Sequence, residues 1–104
     1  MKIQFNTDKT INGDARHQDF FTDLIEKELE RYESHLTRIE AHVKDQNGKK
    51  EGVNNILCVL EARLEGRQPI AVSAQADTVE LAVSGALDKL KAALETILDR
   101  QHTL

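Results

Sequence analysis

The stretch Asn55–Leu64 reads NILCVLEARL and decides the fold class, because apolar side chains recur at every second position. One parity is apolar throughout: Ile56, Cys58, Leu60, Ala62 and Leu64. The other parity mixes Leu57 and Val59 with Glu61 and Arg63. A period of two predicts a strand that buries one face and turns the other outward.

Three further segments are predicted to be strands: Lys2–Asn6, Leu36–Lys44 and Ile70–Ala76. The alternation in the second of them predicts these inward side chains: Thr37, Ile39, Ala41 and Val43. The opposite parity is charged or polar and should face outward: Arg38, Glu40, His42 and Lys44. Asp45–Gly52 is a polar loop with an Asn47-Gly48 turn signal, and Glu65–Gln68 is the next predicted turn. Pro69 then starts an edge strand, where proline removes no ladder hydrogen bond.

The hydrophobic period lengthens to that of a helix in two segments. The first runs from about Asp14, a plausible N-cap, to Glu33, and its apolar stripe is Phe21, Leu24, Ile25, Leu29 and Tyr32. The second begins after an N-cap at Asp77 with Glu80 at the third helical position, and ends near Arg100. Its stripe is Val79, Val83, Ala86, Leu87, Leu90, Leu94 and Ile97.

The elements therefore follow the order β-α-β-β-β-α, which is an α+β fold in a single domain spanning residues 1–104. The helical crossover predicts that the first two strands are parallel, with right-handed connection. Hairpins predict that the remaining pairs are antiparallel, in the spatial order 1-2-3-4. Each helix has one apolar stripe and each strand one apolar face, so both helices should pack on the same face of a four-stranded mixed sheet.

Cysteine use and hydropathy indicate a cellular compartment. The chain has one cysteine, Cys58, so no internal disulfide can form and a reducing environment is expected. The residues after Met1 lack the apolar run of a signal peptide, and no segment approaches the ~20 apolar residues that a membrane span requires. We therefore expect a soluble, cytoplasmic protein with no membrane contact.

The residue types that carry catalysis are not grouped in this sequence. Cys58 has the inward parity and His42 the outward one, so they should lie on opposite faces of the sheet. The histidines fall in separate elements without paired Cys/His spacing, which gives no metal site. No glycine-rich loop precedes a helix. We expect a binding protein, not an enzyme, with no cofactor and no small-molecule substrate.

Cations on the two helices are the candidate binding residues. Lys27 and Arg31 lie off the apolar stripe of the first helix, and Lys89 and Lys91 lie near the middle of the second. If the helices run side by side, some of these side chains line a groove between them. Scattered solubilising charge is the simpler interpretation, because the net charge is −4 and acidic residues outnumber basic ones on both helices.

Two segments resemble the ribosome hibernation-promoting family, also called ribosome-associated inhibitor or sigma-modulation proteins, in its short form. Leu24–Tyr32, followed by Ile39–Val43, is similar to the family's first helix and second strand. Leu81–Leu90 is similar to its last-helix signature, Ala-Ile-Asp-x-x-x-Asp-Lys-Leu. The matching residues are Ala82, Val83, Asp88, Lys89 and Leu90.

This resemblance implies a fold like that of double-stranded RNA-binding domains. It also implies binding to ribosomal RNA at the decoding region of the small ribosomal subunit, where the messenger and transfer RNA sites are blocked in stationary phase or stress. The chemistry would be contact of lysine and arginine with phosphate. Carried over by position, the candidates are Lys27, Lys89 and Lys91, with Arg31 and Arg100 as weaker ones.

The chain departs from the family pattern at several places in the second helix. Glu80 stands where the family usually has an aromatic residue, and Ser84 replaces the first signature aspartate. A basic run that follows Lys91 in the family is replaced here by Ala92, Ala93, Glu95, Thr96 and Asp99. These departures favour an alternative, a protein–protein interaction module on the same fold that has lost RNA binding. The oligomeric state stays open.

Overall fold

A computed structural model describes residues 1–8, 15–46 and 56–102, and within them the side chains other than those of residues 15, 16 and 99–102. The elements are β1 (Lys2–Thr7), α1 (Ala15–Glu28), a 3₁₀ helix (Glu30–His35), β2 (Leu36–Asp45), β3 (Ile56–Leu64), β4 (Ile70–Ala76) and α2 (Val79–His102). The predicted order β-α-β-β-β-α is therefore confirmed. Asp14 and the Asn47-Gly48 turn lie outside the described residues.

The four strands form one mixed sheet in the order β1-β2-β3-β4, as predicted. β1 runs parallel to β2, with Ile3 opposite Ile39. β2 and β3 are antiparallel, as are β3 and β4. The inward parity of β3 is buried along the whole strand. The sheet thus has an inner face, which meets the helices, and an outer face.

A single hydrophobic cluster joins the inner face of the sheet to both helices. The buried helical residues are Phe21, Ile25, Ala82, Val83, Ala86, Leu87, Leu90 and Leu94. α2 packs closely against β4. A Cβ added at Gly85 would lie 3.1 Å from Cβ of Ala74, closer than ordinary van der Waals contact, so glycine allows this close approach of helix to strand. No helix among the described residues combines the length and apolarity needed to cross a membrane.

One inward position of β2 was predicted wrongly. Thr37 is exposed and Leu36 is buried, because the register shifts between Leu36 and Arg38. Leu36 lies opposite Leu64 and Arg38 opposite Arg63, which makes Thr37 an extra residue on β2. Such a bulge reverses the alternation locally. The Oγ1 of Thr37 donates a hydrogen bond to the carbonyl of Arg63 at 3.1 Å.

The first helix ends earlier than its apolar stripe indicates. The N–H of Leu29 donates to the carbonyl of Ile25 at 3.0 Å, an α-helical bond, whereas that of Tyr32 donates to the carbonyl of Leu29 at 2.9 Å, a 3₁₀ bond. A 3₁₀ helix rises about 2.0 Å per residue against 1.5 Å in an α-helix. The chain therefore covers more distance towards β2 while Tyr32 stays buried.

The boundaries of α2 and of the β3–β4 turn are fixed by local hydrogen bonds. Thr78 is the N-cap of α2 in place of Asp77, because its Oγ1 accepts from the N–H of Leu81 at 3.1 Å. The predicted turn is confirmed: the N–H of Arg67 donates to the carbonyl of Leu64 at 3.3 Å. Gly66 has φ of 74°, a conformation that favours glycine.

Candidate nucleic-acid interface

The two helices run side by side, and charged side chains cross the line between them. Glu28, Arg31 and Tyr32 contribute from the first helical segment, and Lys91 and Glu95 from α2; we call this surface the helix seam. Nζ of Lys91 lies 3.2 Å from Oε2 of Glu28. Nη1 of Arg31 lies 3.2 Å from Oε1 of Glu95. Two ion pairs therefore connect the first helical segment to α2.

Each cation of the helix seam has a carboxylate within reach. Lys91 also lies 3.9 Å from Asp88, one turn earlier on α2. The hydroxyl of Tyr32 donates to Oε1 of Glu95 at 2.6 Å, and the guanidinium of Arg31 lies 5.3 Å from the centre of the Tyr32 ring. Three carboxylates therefore face two cations in this region, so the seam presents no excess of positive charge.

Lys89 does not join Lys91 at the helix seam. Two residues along a helix are about 200° apart around its axis, so the two side chains leave α2 in opposite directions. Nζ of Lys89 donates to the backbone carbonyl of Ser73 on β4 at 2.8 Å. β4 is an edge strand of the sheet, and a lysine over an edge discourages pairing with another chain.

Lys27 is exposed on α1, where acidic side chains surround it. It lines a shallow surface depression with four carboxylate residues: Asp23, Glu26, Glu30 and Glu33. Among the described residues Lys27 forms no ion pair. Arg100, the fifth candidate, lies in α2, but its side chain is outside the described set.

His42 lies on the outer face of the sheet and Cys58 on the inner face, as the alternation of β2 and β3 predicts. Cys58 is buried in the core, and burial raises the pKa of its thiol to about 12 from the ordinary 9.0. His42 is exposed and lines a shallow pocket of about 390 Å³ with Leu57 and Val59. A thiol with that pKa is neutral at physiological pH and makes a poor nucleophile. Within the described residues, no three metal-binding side chains converge.

Comparison with known proteins identifies the family of this chain. The profile of the family described as Sigma 54 modulation protein / S30EA ribosomal protein matches residues 6–102. The chain belongs to that family. A search among curated protein sequences found no match.

Two solved structures have the same fold as this family member. A ribosomal subunit interface protein from Coxiella burnetii superposes with a TM-score of 0.73 at 18% identity, covering 95% of this chain and 99% of that one. The N-terminal domain of Protein Y from Thermus thermophilus gives 0.71 at 14% identity, covering 93% and 99%. At such low identity these structures establish the fold alone.

Family membership confirms the resemblance found in the sequence. The family is a ribosome-associated, hibernation-type group and is not known as an enzyme family. Within the signature Leu81–Leu90, the apolar matches Ala82 and Leu90 are buried under α2. Asp88 and Lys89 are exposed on its surface. The signature therefore reports mainly how α2 packs on the sheet.

One group of cations was missed by the sequence analysis. Lys2, Arg38 and Arg63 occupy neighbouring strands and lie side by side on the outer face of the sheet. They are far apart in sequence, and each looks like an ordinary polar position of its own strand. Only the strand register, which local patterns do not give, brings them together.

Proposed function

We propose that this chain binds the small ribosomal subunit at the decoding region and blocks the messenger and transfer RNA sites. The observation that carries this proposal is membership of the S30EA family over residues 6–102. Occlusion of a site needs only a rigid body of the right shape and affinity. The protein would act in the cytoplasm, in stationary phase or stress, without turnover.

Phosphate contact by the helical cations is the expected source of affinity. Arg31 and Lys91 lie at the helix seam, Lys27 lies on α1, and Lys89 and Arg100 belong to α2. The ion pair of Arg31 is exposed, with 71% of the arginine side chain accessible. An exposed pair contributes only about 0.2–1 kcal/mol, so a phosphate can replace the carboxylate at small cost.

A second candidate function is a protein–protein interaction module that has lost RNA binding. It is favoured by the carboxylates Glu28, Asp88 and Glu95, which neutralise the seam cations. It is favoured also by the acidic side chains around Lys27. Such a surface repels a phosphate backbone unless the carboxylates move aside, and it suits a basic protein surface.

Sedimentation with purified small subunits separates the two functions. Phosphate contacts make binding weaken steeply with salt, so we expect the chain to pellet at about 50 mM salt and to be released near 200 mM. Absence from the pellet at the lower concentration would reject ribosome binding and leave the protein-interaction module. A competition arm with messenger RNA then tests the decoding-region site.

Variants assign the contacts. Lys91→Gln and Lys27→Gln should each reduce the slope of log affinity against log salt by about 1 if the residue contacts a phosphate. Lys44→Gln is the matched control, because Lys44 is an exposed lysine on the opposite face of the sheet. An equal loss in all three variants would mean that only net charge matters.

A further inference from the structure

We propose that the outer face of the sheet carries a second phosphate-binding surface, formed by Lys2, Arg38 and Arg63 and here named the cation row. Its ligand is the phosphodiester backbone of an RNA strand. This inference deepens the proposed function, because it rests on RNA being the partner and names a contact surface separate from the two helices.

Strand register builds the cation row. Lys2 on β1 lies opposite Arg38 on β2, and Arg38 lies opposite Arg63 on β3. Neighbouring strands are about 4.8 Å apart, so three adjacent strands place the outer residues about 10 Å apart. All three have the outward parity, opposite to buried Ile39 and Ala62. Their side chains therefore share the face that the helices leave uncovered.

The outer members of the row are free to bind an anion. Lys2 and Arg63 are exposed, and neither forms an ion pair with any side chain that the structure describes. In contrast, each seam cation has a carboxylate beside it. An exposed cation without a carboxylate neighbour gives up no protein contact when it meets a phosphate.

Arg38, at the centre of the row, is held in place by two side-chain hydrogen bonds, and its Nε–H donor is not used by either of them. Its Nη2 donates to Oε1 of Glu40 at 2.9 Å and to Oε1 of Gln4. Its Nε is buried and has no hydrogen-bond acceptor among the residues that the structure describes. A buried donor without an acceptor is uncommon in folded proteins and invites an explanation such as an absent ligand.

Charge also defines where the ligand would stop. The next row along the strands holds Gln4, Glu40 and Glu61, so negative charge lies directly beside the cation row. In the other direction, the turn after β3 holds exposed Glu65 and Arg67 and adds no net negative charge. An anionic chain is therefore favoured across the strand ends near the β3–β4 turn and repelled further along the face.

The sheet accommodates the cation row at a cost to its own stability. Like charges directly opposite each other on a sheet are destabilising. Glu40 offsets this for Arg38 alone, since Lys2 and Arg63 have no described carboxylate contact. Positions that weaken the fold without serving the core are typical of binding surfaces. An RNA strand that supplies phosphates relieves the repulsion.

An NMR titration with a short uridylate oligonucleotide at about 10 mM salt tests the cation row, since charges are little screened there. We expect amide shifts at Lys2, Arg38 and Arg63. Arg63→Gln should reduce the slope of log affinity against log salt by about 1, and Lys2→Gln with Arg63→Gln by about 2. Lys44→Gln, at the other end of the same face, should leave the shifts in place.

Two outcomes overturn the cation row: no shifts at these amides in the unaltered chain, or equal losses in Arg63→Gln and Lys44→Gln. Thermal unfolding of each variant shows that the fold is intact, and removal of a like charge should leave the melting temperature unchanged or raise it. Sedimentation with subunits is a separate readout. If the chain pellets with subunits but shows no amide shifts at the cation row, only the cation row is refuted. If the amides shift but the chain does not pellet, only the proposed ribosomal function is refuted.

Discussion

The helix seam and the cation row lie on opposite sides of one sheet and hold cations in different surroundings. Lys91 and Arg31 at the seam are each paired with carboxylates at 3.2 Å. Lys2 and Arg63 in the row have no such pair among the described residues. The availability of a cation for a ligand therefore depends on its neighbours in the fold and cannot be inferred from its position in a family signature.

The largest expected effect tests whether the two surfaces depend on one core. Leu90, on the inner side of α2 and next in sequence to seam residue Lys91, is fully buried. Leu90→Ala should lower the free energy of unfolding by about 2–5 kcal/mol, because it removes buried methylenes and leaves a cavity. Urea unfolding followed by NMR gives the value. Seam and row signals should vanish together; loss of the seam first would mean that α2 detaches by itself.

The next effect concerns Cys58, which lies on the inner face of β3, the strand that carries Arg63 on its outer face. Burial raises the pKa of the thiol to about 12, above its ordinary value of 9.0. The unfolded chain therefore loses the thiol proton at lower pH than the folded one. The burial of the neutral thiol therefore contributes to the free energy of unfolding in full below pH 9.0. That contribution disappears as the pH rises to about 12.

Within that pH window, the free energy of unfolding should fall by up to about 1.4 kcal/mol per pH unit because of the thiol. Urea unfolding between pH 8 and pH 11, with Cys58→Ala as the reference, isolates the thiol from the lysines that titrate nearby. Identical pH profiles for both proteins would contradict the burial of the thiol. Rapid labelling of native Cys58 by a thiol reagent would contradict it independently.

The pairing at the seam supplies a sharper test of the comparison itself. Glu28→Gln with Glu95→Gln removes the carboxylates that face Lys91 and Arg31 while keeping similar side-chain shape. Arg31 then has no carboxylate beside it among the described residues, and Lys91 keeps only Asp88 at 3.9 Å. We expect tighter binding to small subunits, with the slope of log affinity against log salt steeper by about 2.

Asp19→Asn with Glu80→Gln is the matched control, because it changes net charge equally at exposed carboxylates that belong neither to the seam nor to the cation row. An equal gain in both double variants would show that the chain responds to total charge. Weaker binding in the seam variant would show that its carboxylates contact the partner, as the protein-interaction module requires.

Local sequence patterns predict much of the fold. Ile70–Ala76 was predicted with the boundaries that the structure has, because alternation and Pro69 mark the strand without reference to other elements. The bulge at Thr37 was not predictable in this way, since it appears only when two strands are laid in register. The end of α1 was missed because Leu29 and Tyr32, three residues apart, suit an α-helix and a 3₁₀ helix equally well.

The candidate site was less accessible from the sequence, for related reasons. The sequence identifies cations on the helices, but it does not say that Glu95 of α2 meets Arg31 beyond α1. Lys89 and Lys91 look like neighbours in the chain although one contacts β4 and the other Glu28. The cation row depends on contacts between strands, so its members acquire a common environment only after folding.

The smallest expected effect is a difference in sign. Arg31→Gln removes an exposed ion pair with Glu95 and the contact with the Tyr32 ring, so it should lower the free energy of unfolding by about 0.2–1 kcal/mol. Arg63→Gln removes a like charge opposite Arg38, so it should leave that free energy unchanged or raise it by up to about 1 kcal/mol.

Both variants replace one arginine with glutamine, so they change the net charge of the chain equally and a difference between them cannot come from net charge. Paired urea titrations at low salt measure the difference, and added salt should shrink it because both effects are electrostatic. Equal destabilisation by the two variants would mean that Arg63 has a stabilising contact of its own, and the contrast between the two faces would fail.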